Sequence, residues 1–148
     1  KSSGIPTHAK NIVDRHEYVL IFSKDVNFSL NKEKLNKYSD YKNTKINGKM
    51  FWNINRKAGS VGKNFIHPAI YPNDLVRRII EVATDNNDYV MDPFLGSGTS
   101  LIPSLQLNRN FIGYEYNDGF RELMEHRFEN EVSEYSEKIR FVYRKKSK

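Results

Sequence analysis

The sequence predicts an α/β fold, and three observations predict it. Short apolar runs of strand length alternate with segments whose apolar residues recur at helical spacing. A glycine turn, Gly96-Ser97-Gly98, joins one such strand to one such helix. The resulting order of helix, strand, glycine turn, helix, strand, helix is half of a doubly wound sheet, in which parallel strands are covered by helices.

The first patterned element is Glu17-Tyr18-Val19-Leu20-Ile21-Phe22. Its β-branched and aromatic residues predict a strand buried on both faces, as in a helix-covered parallel sheet. Further along, Asn73 or Asp74 can cap a helix carrying Leu75, Val76, Ile79, Ile80 and Ala83 on one face. Asp85-Asn86-Asn87-Asp88 is a turn cluster. Tyr89-Val90-Met91 reads as a strand ending at Asp92-Pro93, and Thr99 can cap the helix that carries Leu101, Ile102 and Leu105. Pro103 falls in or near that helix's first turn, where a missing N–H costs least. Asn108-Arg109 closes the helix, and Phe111-Ile112-Gly113-Tyr114 is the next strand. Asp118 is the expected cap of a last helix with Phe120, Leu123, Met124 and Phe128 on one side, and Ile139 to Tyr143 the expected final strand.

At 148 residues the chain supports one compact domain. With 38% hydrophobic and 28% charged residues it can form a core, though not a large one. No run approaches the roughly 20 apolar residues of a membrane span, and no signal-peptide pattern opens the chain. Cysteine is absent, which excludes disulfide scaffolds, zinc fingers and thiol catalysis and leaves a reducing, cytoplasmic setting as the default. The chain begins Lys1-Ser2-Ser3-Gly4 without methionine, so we expect a processed or truncated product or a piece of a longer polypeptide.

Charge is unevenly spread. Residues 31–63 hold nine basic and two acidic residues, a local +7 that exceeds the +6 of the whole chain, so the remainder carries −1. The same segment contains Tyr38, Tyr41, Phe51, Trp52 and many asparagines. One reading is a solvated Lys/Asn-rich loop. The other is an insertion facing nucleic acid, with Lys42, Lys45, Lys49, Arg56 and Lys57 meeting phosphates while aromatics and amides reach bases.

The glycine turn stands where strands end and helices begin, the place at which open parallel sheets bind ligands. Gly96 and Gly98 let the backbone turn sharply and approach a ligand. Glu115 ends the next strand 17 positions after Gly98, where a carboxylate can accept from both hydroxyls of a ribose. A phosphate-binding P-loop is missing, and Leu101 stands where the dinucleotide fingerprint needs its third glycine. No Lys or Arg lies between Arg78 and Arg109, which argues against a polyanionic cofactor on this turn. A nucleoside carrying an amino acid and no phosphate fits better, and S-adenosyl-L-methionine is such a cofactor. Taken alone, a Gly-Ser-Gly turn more often only shapes the fold.

Asp92-Pro93-Phe94-Leu95-Gly96-Ser97-Gly98-Thr99 followed by Phe111-Ile112-Gly113-Tyr114-Glu115 strongly resembles the cofactor-binding region of bacterial DNA amino-methyltransferases, which methylate N6 of adenine or N4 of cytosine. His67-Pro68-Ala69-Ile70-Tyr71-Pro72 and Arg15 to Lys24 resemble two further blocks of that family, in matching order. The resemblance covers about residues 5–24 and 50–130. It implies a Rossmann-like methyltransferase sheet that is incomplete in this chain. It divides the chain into residues 1–30, a strand-bearing piece of the catalytic half, residues 31–63, a basic insertion in the place of a target-recognition segment, and residues 64–148, the S-adenosylmethionine half.

By resemblance, Pro68 and Ala69 line the methionine end of the cofactor, with His67 either touching it or packing the loop. Phe94, Gly96, Ser97, Gly98 and Thr99 surround its amino acid moiety, beside Pro93, and Asp92 fixes the turn. Glu115 holds the ribose and Asn117 lies near ribose or adenine, whereas Glu17 is read as structural. The family's catalytic block is Asp or Ser, two prolines and an aromatic, which hold the target amine and stack on the flipped base. None of the five prolines here is adjacent to another, so the block is absent and no catalytic residue is assigned. The resemblance therefore implies a part of a restriction–modification type enzyme of bacterial or archaeal cytoplasm. Its expected partners are double-stranded DNA and a second chain or N-terminal portion carrying the catalytic block. The alternative is a non-catalytic DNA-binding or assembly subunit with the same fold. The base methylated stays open, because the residue that decides it opens the absent block.

Overall fold

The computed structural model describes residues 17–39, 51–55 and 71–142, and the backbone of 60–61 and 65–66. Helix α1, Lys32–Tyr38, lies at the start of the basic segment, where no element was expected. The Asn31 side chain caps it by accepting from the Lys34 N–H, with Glu33 in its first turn and Lys37 in its last, each placed favourably against the helix dipole. Strands β1, Ser60–Val61, and β2, Phe65–Ile66, pair antiparallel. Helix α2 spans Asn73–Ala83, strand β3 Tyr89–Asp92, helix α3 Leu101–Gln106 and strand β4 Asn110–Gly113. A 3-10 turn, Asp118–Phe120, leads into helix α4, Arg121–Glu131, and a second 3-10 turn covers Ser133–Lys138. Among the described residues, no helix is long and apolar enough to cross a membrane.

The centre of the fold is the β3–α3–β4 unit. β3 and β4 are parallel and in register from Tyr89 opposite Asn110 to Asp92 opposite Gly113. Alternation along each strand sends Val90 and Phe111 inward and leaves Tyr89, Met91 and Ile112 exposed on the other face. Leu101, Ile102 and Leu105 of α3 form the core with Val132, and Leu95, Phe111, Phe128, Tyr135 and Ile139 pack around them. The α/β class and the parallel pairing expected from the sequence are thus present, with two parallel strands among the described residues. α1 docks on α2 through the Asn31 N–H to the Val82 carbonyl, 2.8 Å, and the Tyr38 hydroxyl to Glu81 Oε2, 2.6 Å. The first turns of the basic segment are therefore folded against the domain.

Several expectations need correction. Residues 17–22 form neither helix nor strand, and Tyr18, Leu20 and Phe22 are 79%, 72% and 88% exposed rather than buried. A strand forms only where a neighbouring strand pairs with it, and among the described residues no strand pairs with this run. Residues 139–142 likewise form no strand; Ile139 packs on the core and Phe141 meets Phe128 edge-on at 5.9 Å, so this segment is held by side chains. Tyr143 lies outside the described residues.

The expected caps also moved. Pro72 occupies the N-cap of α2 and has no side-chain acceptor to cap it, while Asn73 is engaged by α4 and Asp74 pairs with Arg78 at 2.8 Å. α3 begins at Leu101 after Ser100, with Thr99 turned into the protein instead of capping it. Asn117, not Asp118, caps the following turn by accepting from the Gly119 N–H at 3.0 Å.

Candidate functional site

Strand β3 delivers Asp92 to the rim of the sheet, and this one carboxylate closes the loop that follows. Its Oδ1 accepts from the Phe94 N–H at 2.9 Å, and its Oδ2 accepts from the Ser100 hydroxyl. Between those contacts the backbone enters the left-handed region twice, at Gly96 with φ 53° and Gly98 with φ 78°. Gly98 is needed for a second reason, since an added Cβ would stand 3.3 Å from Met124 Cγ. The loop is pinned to the neighbouring strand end by the Leu95 N–H to the Tyr114 carbonyl, 2.8 Å, and the Tyr114 N–H to the Asp92 carbonyl, 2.9 Å.

Glu115 follows β4 and sits against this loop. Its Oε2 accepts from the Gly96 N–H at 2.7 Å and its Oε1 from the Asn117 N–H at 2.6 Å. A carboxylate has about four acceptor positions, so each oxygen keeps capacity for a further donor. The two amides orient the carboxylate while leaving it able to receive two hydroxyls. Phe94 and Tyr116, 87% and 83% exposed, flank the rim.

Under the loop lies a residue that the sequence reading missed. Arg127 of α4 is 1% exposed and reaches the Ser97 carbonyl and Thr99 Oγ1, both at 3.0 Å. Its charge is met by Glu131, with Nε donating to Oε1 at 2.8 Å. Ser97 and Thr99 are consequently 4% and 6% exposed, their hydroxyls 3.0 Å apart and turned towards Arg127. The signal was available: Arg127 stands four residues after Leu123 on the buried face of α4, and an arginine is buried only when paired. It adds no positive charge to the outer face of the turn, because its donors are directed inward.

Of the expected site residues, Asp92, Pro93, Phe94, Gly96, Ser97, Gly98, Thr99, Glu115 and Asn117 are brought together at this end of the β3–α3–β4 unit. His67, Pro68 and Ala69 lie outside the described residues, as do Lys42, Lys45, Lys49, Arg56 and Lys57. A cavity of about 120 Å³ opens at the opposite end, beside Asn87, Asn108, Arg109 and Asn110, and touches none of the expected residues.

The chain is 34% identical over 147 residues to the type II methyltransferase M.MthZI of Methanothermobacter thermautotrophicus, covering 93% of this chain and 41% of that protein. It is 32% identical over 143 residues to the type II methyltransferase M1.MboII of Moraxella bovis, covering 79% of this chain and 55% of that one. The crystal structure of an M1.HpyAVI–SAM complex is 38% identical over 43% of this chain and 32% of its own, with a TM-score of 0.41. The chain thus spans about half the length of the curated relatives it matches. The sequence profile of the family described as DNA methylase matches residues 1–126, a stretch that takes in the Asp92–Ser100 loop and Glu115, and the chain belongs to that family.

Proposed function

We propose that this chain is the cofactor-binding part of a DNA methyltransferase. The reaction would transfer a methyl group from S-adenosylmethionine to the exocyclic amine of adenine or cytosine in double-stranded DNA. The observation that carries this reading is Glu115, held by the Gly96 and Asn117 N–H groups beside the loop closed by Asp92, with an acceptor position left on each oxygen.

When bound, the cofactor supplies an electrophilic methyl group on a sulfonium centre. The residues present suit it. Glu115 would accept from the two ribose hydroxyls, with Asn117 beside it. The backbone of Phe94 to Thr99 would hold the amino acid moiety, with Ser97 and Thr99 contributing through main chain because their hydroxyls face Arg127. Pro68 and Ala69, with His67 beside them, would complete the methionine end. Binding and orienting the donor is the work of this chain. Holding the target amine and stacking on the base belong to a part with the Asp/Ser-Pro-Pro-aromatic block, so the chain by itself is inactive. Lys42, Lys45, Lys49, Arg56 and Lys57 take up DNA phosphates, and the salt dependence of DNA binding reads their number.

Calorimetric titration with S-adenosylmethionine tests the site. We expect binding that falls by about tenfold or more in Glu115→Ala, the effect of losing charge-assisted hydrogen bonds. A folded chain that binds nothing, or a variant that binds equally well, overturns the reading. Labelled methyl transfer to DNA should appear only once the catalytic part is added; transfer by this chain alone would refute the division of labour.

A further inference from the structure

We propose that Arg127 is a positioning residue: it sets the shape of the glycine turn and locks that turn to the entrance of α2. The inference rests on the reading of the turn as a cofactor site.

The guanidinium uses its edges on three elements. Nη1 donates to the Ser97 carbonyl and Thr99 Oγ1 at 3.0 Å, with Ser97 Oγ at 3.3 Å. Nη2 donates to Asn73 Oδ1 at 3.1 Å and lies 3.4 Å from Glu131 Oε2. Nε donates to Glu131 Oε1 at 2.8 Å. The Asn73 side-chain amide donates back to Glu131 Oε2 at 3.2 Å, which closes a ring of Arg127, Asn73 and Glu131. Asn73 is the first residue of α2. A movement of α2 at its start is therefore transmitted through a planar group to the carbonyl of Ser97.

The chemistry explains why an arginine is required. Its five donors in a rigid plane can serve a backbone carbonyl, a hydroxyl, an amide oxygen and a carboxylate together, while a lysine offers one flexible point charge. Glu131 neutralises the charge internally, so the outer face of the turn is left to Glu115. A group that served only to fill the core would not need polar partners on both the turn and α2.

The test uses the whole chain with Arg127→Lys, Arg127→Met and Asn73→Ala. S-adenosylmethionine and 5′-methylthioadenosine, which lacks the amino acid moiety, are each titrated, and thermal melting and amide exchange are recorded beside them. We expect Arg127→Lys and Arg127→Met to weaken S-adenosylmethionine by about tenfold or more while methylthioadenosine changes by less than about threefold, with Asn73→Ala intermediate. Exchange at Gly96, whose amide donates to Glu115, and at Gly98, whose amide donates to the Leu95 carbonyl, should quicken selectively. Equal binding of S-adenosylmethionine by folded variants overturns the proposal, and so does an equal loss for both ligands, which marks a purely structural arginine. If Arg127→Met does not fold, Asn73→Ala, which keeps the ion pair, decides by the same ratio. If the wild type binds neither ligand, the cofactor reading fails, and the clamp is judged by exchange: selective loss at Gly96 and Gly98 sustains it, and unchanged protection refutes it.

Discussion

Two buried arginines hold the two ends of the β3–α3–β4 unit, and they do so differently. Arg127, at the carboxyl end of the strands, is neutralised by Glu131 and grips the Ser97 carbonyl. Arg109, at the amino end and 5% exposed, is held by uncharged acceptors: Thr84 Oγ1 at 2.9 Å, the Thr84 carbonyl at 2.7 Å, Asn86 Oδ1 at 2.6 Å and the Leu107 carbonyl. The Arg109 set ties the loop before β3 to the loop before β4 and ends there. The Arg127 set shapes a loop whose outer side meets a second, independently oriented carboxylate, Glu115. Comparable burial thus serves a joint between two loops at one end and the shape of the glycine turn beside Glu115 at the other.

Breaking each end separates these roles. Arg127→Met leaves the buried Ser97 and Thr99 acceptors unmet and takes the guanidinium from the half-buried Glu131, and should cost roughly 3 kcal/mol in urea unfolding. Arg109→Met leaves neutral acceptors unmet and should cost about 2–3 kcal/mol, with no selective effect on ligand binding. A selective loss of S-adenosylmethionine affinity in the Arg109 variant would erase the distinction. Next in size is Gly98→Ala, which places a side chain at φ 78° and 3.3 Å from Met124 Cγ. The left-handed backbone alone should cost about 1–2 kcal/mol, and the turn should lose ligand along with stability.

The smallest effect lies away from both ends and acts as a control. Burial and the hydrogen bond to Glu81 push the Tyr38 hydroxyl up to about 12. Burial pushes Glu81 upward, but the Tyr38 hydrogen bond and Arg77 outweigh it and hold its carboxyl below the usual value. A raised Tyr38 stabilises the fold fully below pH 10 and loses that contribution as pH climbs from about 10 to about 12. The lowered Glu81 stabilises above the ordinary carboxylate range and loses its share as pH falls through its own folded value. Tyr38→Phe should cost about 1 kcal/mol near neutrality and flatten the alkaline limb of a melting-temperature profile, with ligand binding unchanged.

What was legible in the sequence was local. The strand at Tyr89, the left-handed turn at Gly96 and Gly98, the parallel partner at Phe111 and the helix holding Leu123 and Met124 follow from runs, glycines and helical spacing within a few residues. Asp92 and Glu115 were legible as candidate site residues because strand ends locate ligands in this architecture. The misses were non-local. Residues 17–22 have strand composition, but strand structure depends on partners that composition does not supply. Asn73 and Thr99 have good capping side chains, and Arg127, 54 and 28 residues away, claims both. α1 was hidden in a segment whose charge suggested a solvated or DNA-facing loop, although Asn31, Glu33 and Lys37 carry the marks of a capped helix.

On the function proposed above, the carboxyl end of the β3–α3–β4 unit, not the amino end, receives the nucleoside cofactor. Amide chemical shifts of the isotopically labelled chain, followed while S-adenosylmethionine is added, test it residue by residue. We expect saturable shifts at Gly96, Gly98, Glu115 and Asn117, with Asn87 and Asn110 unmoved. Shifts centred on Asn87, Asn108 and Asn110, or none anywhere in a folded chain, would contradict it.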